Sequence, residues 1–349
     1  MAETRALTAC CHCRSIHFTL TLPTFSLPLK VHLCHCTICR TTHGALASCH
    51  APLPVGVEPM FITPSGLEKL TGYTHSNAQS TRYFCSTCGC HIGDHDTIGR
   101  WYLSVSLFEN GNEGLWEVAS HCYTHSTRDG GLSELLPEID QREIALFNPK
   151  TEQRLSSISE PDIREDTLQA QCHCGGVSFT ISRPRAEYIA SPASNGWVHR
   201  SDITKWLALV DVCSDCRLVT GAHAIAWLFV PMDHISPSIQ GNLLIGTSKS
   251  YSSSEGVLRT FCGTCGATVF YSQASRPGIV DVATGILRAR EGVMLGSWAW
   301  WRTVRLGYPD DGIKYDEGFT RGLTRGLQEW GKRTHGEVRD LIVGSETKS

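Results

Sequence analysis

The feature that most constrains this chain is a set of cysteines whose spacing occurs twice. In the first copy a pair, a triplet and a second pair follow one another: Cys11 and Cys13, then Cys34, Cys36 and Cys39, then Cys85 and Cys88. The second copy repeats this order with one replacement: Cys172 and Cys174, then Asp211, Cys213 and Cys216, then Cys262 and Cys265. In both copies 46 positions separate the triplet's last cysteine from the next pair. Self-similarity of this length indicates two copies of one domain.

Clustered thiols of this kind are typical zinc ligands. The two outer pairs of each copy supply four thiolates, enough to close a tetrahedral structural zinc site. The triplet of the first copy supplies three and leaves a fourth position for water or substrate, as a catalytic zinc requires. In the second copy the carboxylate of Asp211 either replaces one thiolate as a harder ligand or leaves the site without metal. We therefore expect up to four zinc ions per chain, and three if the Asp211 site is empty.

Disulfide bonds are the alternative explanation for so many cysteines. The chain has 17 cysteines, an odd number, and it is long and begins without a secretion signal, all of which argue against a disulfide framework. Four cysteines have no counterpart in the second copy, and we interpret them as buried or spare thiols: Cys10, Cys49, Cys90 and Cys122.

Length and charge set the broad class. A chain of 349 residues has room for two domains, each burying its own core. The net charge of −3 gives no generally basic surface, so no nucleic-acid partner is expected. The start of the chain lacks an apolar signal region, and no run of residues is apolar enough to span a bilayer, which predicts no membrane association and a cytoplasmic location.

Short apolar runs divided by proline and glycine predict a mostly β fold with short helices and many loops. Alternating apolar residues predict strands, for example over 15–22 and 100–107. The triplet is placed on a loop beyond a short strand. Brief helical segments are predicted over 66–70 and, weakened by glycines, over 318–343. The predicted organisation is domain 1 over residues 1–147, a linker over 148–168, domain 2 over 169–335 and a disordered tail over 336–349.

Several features beside the thiols leave alternatives open. His35 and His43 flank the first triplet and are either zinc ligands, proton carriers or ordinary polar loop residues. The segment 121–131 is either a wall of a substrate site or a plain turn. An insertion before Asp211 either reshapes a pocket or lengthens a surface loop. The tryptophans near residue 300 are interpreted as core: Trp298, Trp300 and Trp301.

The motifs of both copies resemble a known family, the glutathione-dependent formaldehyde-activating enzymes, grouped with the centromere protein V-like domains. The shared pattern is C-x-C, then C-x-C-x-x-C followed by Arg, then F-C-x-x-C-G. The resemblance implies two tandem Mss4-like zinc-binding β domains in which the outer pairs hold structural zinc. It also implies that Cys34, Cys36 and Cys39 hold a catalytic zinc. The chain departs from the pattern at Arg14, where glycine is usual, and at Asp211.

The activity that the resemblance implies is addition of the glutathione thiol to an aldehyde, or the reverse carbon–sulfur lyase step. The substrate could equally be a glutathione conjugate or another electrophile from secondary metabolism, because fold resemblance does not fix substrate. A non-catalytic zinc module that binds protein or chromatin is the alternative. The complete triplet predicts that the first copy carries the chemistry, with a small molecule and glutathione as its partners; oligomeric state is left open.

Overall fold

The structure, a computed structural model, describes residues 3–76, 78–149, 166–194 and 196–340. Most of the predicted linker, 150–165, and the end of the predicted tail, 341–349, lie outside the described residues. None of the helices in these ranges combines the length and the apolar character that crossing a membrane requires.

The first half is built mainly from short strands with two short helices, α1 (Thr37–His43) and α2 (Leu132–Leu135). Its strands are β1 (Thr4–Cys10), β2 (His17–Pro23), β3 (Leu29–Cys34), β4 (Ser48–Pro52), β5 (Met60–Phe61), β6 (Leu70–Tyr73), β7 (Ser80–Cys85), β8 (His91–Asp96), β9 (Trp101–Ser104), β10 (Trp116–Cys122), β11 (Glu138–Ile139), β12 (Arg142–Glu143) and β13 (Ala145–Phe147).

The second half repeats this plan and ends in helices. Its helices are α3 (Ala186–Ala190), α4 (Ser214–Thr220), α5 (Pro309–Tyr315) and α6 (Glu317–His335). Its strands are β14 (Thr167–Gln171), β15 (Ser178–Ser182), β16 (Val198–His199), β17 (Asp202–Asp211), β18 (Ile225–Pro231), β19 (Ile235–Ser236), β20 (Ser248–Ser254), β21 (Val257–Cys262), β22 (Thr268–Gln273), β23 (Ile279–Ala283), β24 (Leu287–Arg288) and β25 (Ala299–Trp301).

The main sheets of the two halves have the same topology. The first runs β10-β3-β4-β9-β8-β7-β6, with β13 added beside β10, and the second runs β25-β17-β18-β23-β22-β21-β20, with β16 also paired to β17. The equivalent pairs β10 with β3 and β25 with β17 are parallel, as is β13 with β10, whereas the ladder from β3 to β6 or from β17 to β20 is antiparallel. The mostly β prediction is confirmed, and the repeated cysteine spacing corresponds to a repeated sheet.

Along β2, the alternation of apolar and polar residues in the sequence matches an alternation of buried and outward-facing side chains. Phe18, Leu20 and Leu22 are buried, whereas the threonines between them face outward. The strand predicted over 100–107 is shorter than expected. It ends at Ser104, whose hydroxyl accepts a hydrogen bond from the Ser106 amide and starts a 3₁₀ turn over Val105–Leu107. The brief helix predicted over 66–70 is likewise a 3₁₀ turn, Leu67–Lys69.

The two halves pack through reciprocal contacts between equivalent residues. The His12 amide donates to the Leu218 carbonyl, and the equivalent His173 amide donates to the Thr41 carbonyl. The ring nitrogen Nδ1 of His12 lies 2.7 Å from the Tyr251 hydroxyl, and Nδ1 of His173 lies 2.7 Å from the Tyr73 hydroxyl. Such reciprocity is the pattern of a two-fold interface within one chain. The expectation of two separate cores is wrong, because one contiguous core includes buried side chains of both halves.

The sequence underestimates the stability of the C-terminal helix α6. It is a 19-residue helix that begins at the Asp316 cap, whose Oδ1 accepts from the Phe319 amide at 3.0 Å, and ends before Gly336. The glycines that weaken its helix propensity form a contact face. A Cβ at Gly326 would lie 2.2 Å from the Leu135 carbonyl oxygen, so glycine permits α6 to approach α2 of the first half. Tertiary packing therefore outweighs helix propensity here.

The tryptophans near residue 300 are buried, as predicted, with Trp301 fully so. The insertion before Asp211 forms α3, a 3₁₀ turn over Pro192–Ser194 and β16. Its Trp197 ring packs on Phe229, so the insertion covers one side of the second sheet. The exact domain boundaries stay a prediction.

Candidate active site and metal centres

Each half gathers its two outer cysteine pairs into one group of four sulfurs. Within each group all Sγ atoms lie within 4.8 Å of one another: Cys11, Cys13, Cys85 and Cys88, then Cys172, Cys174, Cys262 and Cys265. The first pair of each group stands on the turn between the first two strands of its half. The second pair stands on the turn between two strands of the main sheet. The fold thus joins residues that lie more than 70 positions apart.

The geometry and surroundings of these sulfurs fit zinc. Two sulfurs bound to one tetrahedral zinc at about 2.3 Å lie about 3.8 Å apart, and the structure places Cys11 3.5 Å from Cys13 and Cys13 3.6 Å from Cys85. Backbone amides also point at sulfur, as in the contact of 3.3 Å from the Val177 amide to Cys172. Amide donors of this kind stabilise thiolate charge, so the four sulfurs fit a closed structural zinc site.

The first triplet joins a strand to a helix rather than lying on a loop. Cys34 is the last residue of β3, Cys36 caps α1 by accepting the Cys39 amide at 3.3 Å, and Cys39 lies in the first turn of α1. The loop prediction is therefore wrong. The three Sγ atoms also lie within 4.8 Å of one another. A strand end followed by a helix start holds the sulfurs on well-ordered backbone, which suits a site that must keep its geometry while a ligand exchanges.

Hydrogen bonding among the three sulfurs separates their acidities. Hydrogen bonds to Cys36 and Cys39, followed by burial, raise the pKa of Cys34 well above its usual value. Hydrogen bonds from Cys34 and Cys36 lower the pKa of Cys39, and the Arg82 guanidinium acts in the same direction. Three thiolates packed this closely need a cation to be stable together, so the donor set fits a bound zinc ion.

The second triplet has the same backbone and different chemistry. Asp211 ends β17, and Cys213 caps α4 by accepting the Cys216 amide at 3.2 Å. Asp211 Oδ1 accepts the Cys213 amide at 2.7 Å, and burial raises the pKa of this carboxyl to about 6. One carboxylate and two sulfurs lie close enough to share a metal ion. Whether they bind zinc stays a prediction.

The two triplets open into cavities of very different size. The cavity over the first triplet has a volume of about 770 Å³, and its wall includes Ile38, Tyr102, Tyr123 and Phe147. The cavity over the second has a volume of about 230 Å³ and is narrowed by Trp227, Phe229 and Tyr271. Only the first approaches the size of a pocket for a drug-sized ligand, about 300–1,000 Å³.

Comparison with known proteins identifies the family. The family described as glutathione-dependent formaldehyde-activating enzyme matches this chain over residues 6–126 and 199–301, more than half of its length. The chain belongs to this family. Among solved structures, the crystal structure of a Rhodobacter sphaeroides protein is similar, with 22% identity over 32% of this chain and 97% of that chain, and a TM-score of 0.26. No curated protein matches the chain.

Membership of the glutathione-dependent formaldehyde-activating family agrees with a repeated, cysteine-rich β fold. The family supports an enzyme with a glutathione-dependent formaldehyde-activating or related role in general. Both matched segments contain a triplet position, and the structure shows that only the first triplet lies under a large cavity.

The histidines that flank the first triplet in this family member are not grouped with its sulfurs. Within the described ranges, the four groups that could hold a metal contain cysteine and aspartate only. His35 is buried, with Nε2 2.9 Å from Nδ1 of His121. His43 is buried at the end of α1, with Nδ1 2.9 Å from the Cys39 carbonyl oxygen. Burial, and then the neighbours His91 and His50, lower the pKa of His43 well below its usual range, so the ring is neutral.

The segment 121–131 forms part of the cavity wall. Cys122, Tyr123 and Ser126 line the cavity, which favours the first of the two alternatives drawn from sequence. The four cysteines without a counterpart in the second copy are buried, as interpreted, and Cys49 lies 3.3 Å from a ring nitrogen of His223.

Sequence reasoning missed a polar row beside the triplet. The sequence does repeat Arg82 as Arg259, three positions before the cysteine pair in each copy, but His50 and Asp94 have no like residue at the equivalent positions, which are Trp227 and Tyr271. All three side chains line the first cavity. An alignment of the two copies could have found them. At these positions the copy with the complete triplet has titratable residues, whereas the other copy has aromatic residues.

Proposed function

We propose that the first half catalyses glutathione-dependent formation or cleavage of a carbon–sulfur bond at a carbonyl carbon. The observation that carries the proposal is the 770 Å³ cavity directly over the complete triplet of Cys34, Cys36 and Cys39. Family membership supports the glutathione-linked chemistry in general terms. In the forward direction the glutathione thiol adds to an aldehyde and gives a hydroxyalkyl thioether; the lyase reaction is the reverse.

The chemistry of the three sulfurs supports this role. Bound to Cys34, Cys36 and Cys39, a zinc ion would lower the pKa of an exchangeable thiol or polarise a carbonyl group. The protein itself holds the three ligands and keeps Arg82 beside them, with Nη2 3.9 Å from Cys39 Sγ. A cationic neighbour favours thiolate in this site, and that is the ionisation state that binds metal and attacks carbonyl carbon.

The lining of the cavity supports a substrate larger and more apolar than formaldehyde. Ile38, Tyr102 and the strand β13, which includes Leu146 and Phe147, give the cavity an apolar side. Leu146 and Phe147 are 64% and 56% exposed, although each is large and apolar. Burying such side chains against a ligand is favourable, at about 25 cal/mol per Å². An aldehyde with an apolar body, or a glutathione conjugate of one, therefore fits better than a one-carbon substrate alone.

In this proposal the second half supports the first and does not turn over substrate. Its triplet lacks one sulfur, and aromatic side chains fill the corresponding cavity. The reciprocal contacts between the halves give the second half a structural role, since it supplies Thr268 against Gly44 at the end of α1 and Phe261 against Gly89 beside Cys88. We expect zinc in the four-sulfur group of each half, called the tetrads below, and in the first triplet. Glutathione is the expected co-substrate.

The matched pair Cys36→Ser and Cys213→Ser tests the proposal, because the two residues hold the same helix-cap position. Zinc content and glutathione-dependent turnover of a series of aldehydes are measured for both variants and the parent. Cys36→Ser should lose turnover while both tetrads keep their zinc, whereas Cys213→Ser should keep most of it. Loss in Cys213→Ser alone would reverse the roles of the halves. Absence of glutathione binding and turnover in the zinc-loaded parent would favour the non-catalytic zinc module instead.

A further inference from the structure

Polar side chains form one row across the sheet face beneath the first cavity. The register pairs His32 with His50, Asp94 with Tyr102, and Arg82 with Asp94, and paired residues of neighbouring strands share a face. All five line the cavity. Five strands therefore contribute to one polar floor next to the cysteine triplet.

Within this row His50, Asp94 and Arg82 are connected to the triplet by hydrogen bonds and ion pairs. Arg82 Nη2 lies 3.9 Å from Cys39 Sγ, and its Nε lies 3.5 Å from Asp94 Oδ1. The other carboxylate oxygen of Asp94 lies 3.3 Å from His50 Nδ1. These contacts are longer than the usual 2.7–3.2 Å of an N–H···O hydrogen bond, which is common for catalytic groups before a substrate binds.

The partners of His50 determine where its protons are. His50 Nδ1 lies 3.3 Å from Asp94 Oδ2 and donates to it, because a carboxylate offers only accepting oxygens. His50 Nε2 lies 3.3 Å from Nε2 of His43, and one hydrogen serves that contact. The ring of His50 is therefore held from both sides, with its Nδ1 hydrogen directed at a carboxylate that also lines the cavity.

We infer that His50, held by Asp94, is the catalytic acid–base residue of the first cavity. The inference rests on the proposed function. In the forward reaction the sulfur lone pair of the glutathione thiolate forms the bond to carbon, the carbonyl π pair moves to oxygen, and His50, protonated at both nitrogens, gives its Nδ1 proton to that oxygen. The thiol proton released when the next glutathione ionises restores His50. In the reverse reaction neutral His50 removes the hydroxyl proton as the carbon–sulfur bond breaks.

The second half provides an internal comparison. It keeps the arginine, since Arg259 Nη1 lies 3.6 Å from Cys216 Sγ, in the same relation that Arg82 has to Cys39. In the second half, the positions of His32, His50 and Asp94 are occupied by Leu209, Trp227 and Tyr271. The strand register establishes these equivalences, because Leu209 pairs with Trp227 and Arg259 pairs with Tyr271. The arginine thus accompanies a triplet whether or not it is complete. The histidine and aspartate accompany only the complete triplet and the large cavity, as expected of groups used in catalysis.

The pH dependence follows from the groups that surround His50. These are His32 on β3, His43 on α1, Arg82 on β7, and His91 and Asp94 on β8. Arg82 and Asp94 are the charged groups among these, whereas burial lowers the pKa of His43 and of His91 and keeps both rings neutral. Because His50 acts as an acid in the forward direction and a base in the reverse, the two directions should have opposite pH dependence on this one group.

The test compares His50→Gln and Asp94→Asn with Tyr271→Phe in the full-length, zinc-loaded chain. Tyr271 holds the position in the second half that Asp94 holds in the first, so its variant is a matched control. Zinc content, glutathione affinity by calorimetry, and kcat and KM against pH are measured with an aldehyde that the parent turns over. We expect His50→Gln to lower kcat about 10²–10⁴-fold, the usual contribution of a general acid or base, with zinc content and glutathione affinity unchanged. Asp94→Asn should lower kcat less and shift the pH profile.

Added imidazole should partly restore turnover in His50→Ala, which a merely structural role would not allow. If His50→Gln and Asp94→Asn both turn over at the parent's rate and with its pH profile, this inference is overturned and the proposed function stands. If the parent itself shows no glutathione-dependent turnover, both are overturned. Should His50→Gln fail to fold, as circular dichroism would reveal, a normal rate and pH profile in folded Asp94→Asn still overturns the inference.

Discussion

Phe84 and Phe261 meet edge to face, with 6.3 Å between ring centroids, and hold the same position in the two halves. Each ring also covers the glycine that follows a cysteine pair of the other half, Gly266 for Phe84 and Gly89 for Phe261. The turns that build the two tetrads therefore pack on each other's half. The geometry of the cysteine turns and the association of the halves are physically linked at this point.

We expect Gly89→Ala to destabilise the protein by about 2–4 kcal/mol, through backbone strain and overpacking together. Gly89 has a φ of +80°, and an added Cβ would lie 2.4 Å from Phe261 Cγ. Gly99→Ala is the matched control, because Gly99 has a φ of +83° and nothing within 4 Å of an added Cβ. Its cost should be about 1 kcal/mol. Denaturant unfolding of both variants measures the difference, and equal costs would show that the interface does not restrict Gly89.

We expect His223 to make stability depend on pH. Burial lowers the pKa of His223, but the neighbouring Cys49 thiol and the Asp316 carboxylate outweigh burial and raise it to about 9. Because this pKa lies above the ordinary value of 6.5, the stabilisation is fully present below pH 6.5 and is lost as the pH rises through 9. Asp316 also accepts the Trp116 indole N–H at 2.8 Å, so the pair connects the first half to the cap of α6.

Denaturant unfolding of the parent and of His223→Gln at pH 6 and pH 9 checks this expectation. The parent should be more stable than the variant by roughly 3 kcal/mol at pH 6, because raising the pKa of His223 from 6.5 to about 9 corresponds to a free energy of about this size. At pH 9 the difference should be much smaller. His234→Gln is a control, because His234 is also buried but lies outside this contact. A stability difference that does not change with pH would contradict the assignment of charge to His223.

Zinc should be integral to the fold. Purified protein should contain three zinc ions, or four if Asp211 serves as a ligand, and two or fewer would contradict both outcomes. Cys88→Ser should lose one zinc ion and unfold the first half. The strands of this half are short, so their stability depends on the closed four-sulfur site. Cys10→Ser is the matched control, a buried thiol outside the four groups, and should keep its zinc and its circular dichroism spectrum. A native melting temperature for Cys88→Ser would show that the tetrad is dispensable.

The apolar side of the cavity should determine substrate size. Phe147→Ser should raise KM for aldehydes with an apolar body about tenfold, since losing burial worth about 1.4 kcal/mol weakens binding by that factor. KM for formaldehyde should not change, because a one-carbon substrate does not reach the strand β13. Phe25→Ser is the control, since Phe25 is 82% exposed and does not line the cavity. Equal effects on large and small aldehydes would mean that Phe147 does not contact substrate.

Much of the fold was determined by sequence alone. The repeated spacing of thiols and of Arg82 with Arg259 indicated two copies, because only a duplicated backbone keeps ligands at equal separations over such lengths. The grouping of sulfurs followed from metal chemistry, since four thiols can share one zinc ion only if the chain brings them together. Alternation along Ser15–Leu22 gave a strand because one face of a sheet is buried and the other is not.

What sequence could not supply depends on contacts between distant residues. The glycines of α6 looked like weak helix formers, and only the approach of Leu135 shows that they permit close packing. His50 and Asp94 lie 44 positions apart and meet because strand register places them on one face, where a shift of a single residue would turn one of them away. The sequence determined which ligands the chain offers; the tertiary structure decided which triplet lies under a cavity, because open volume depends on how side chains of separate strands fill space.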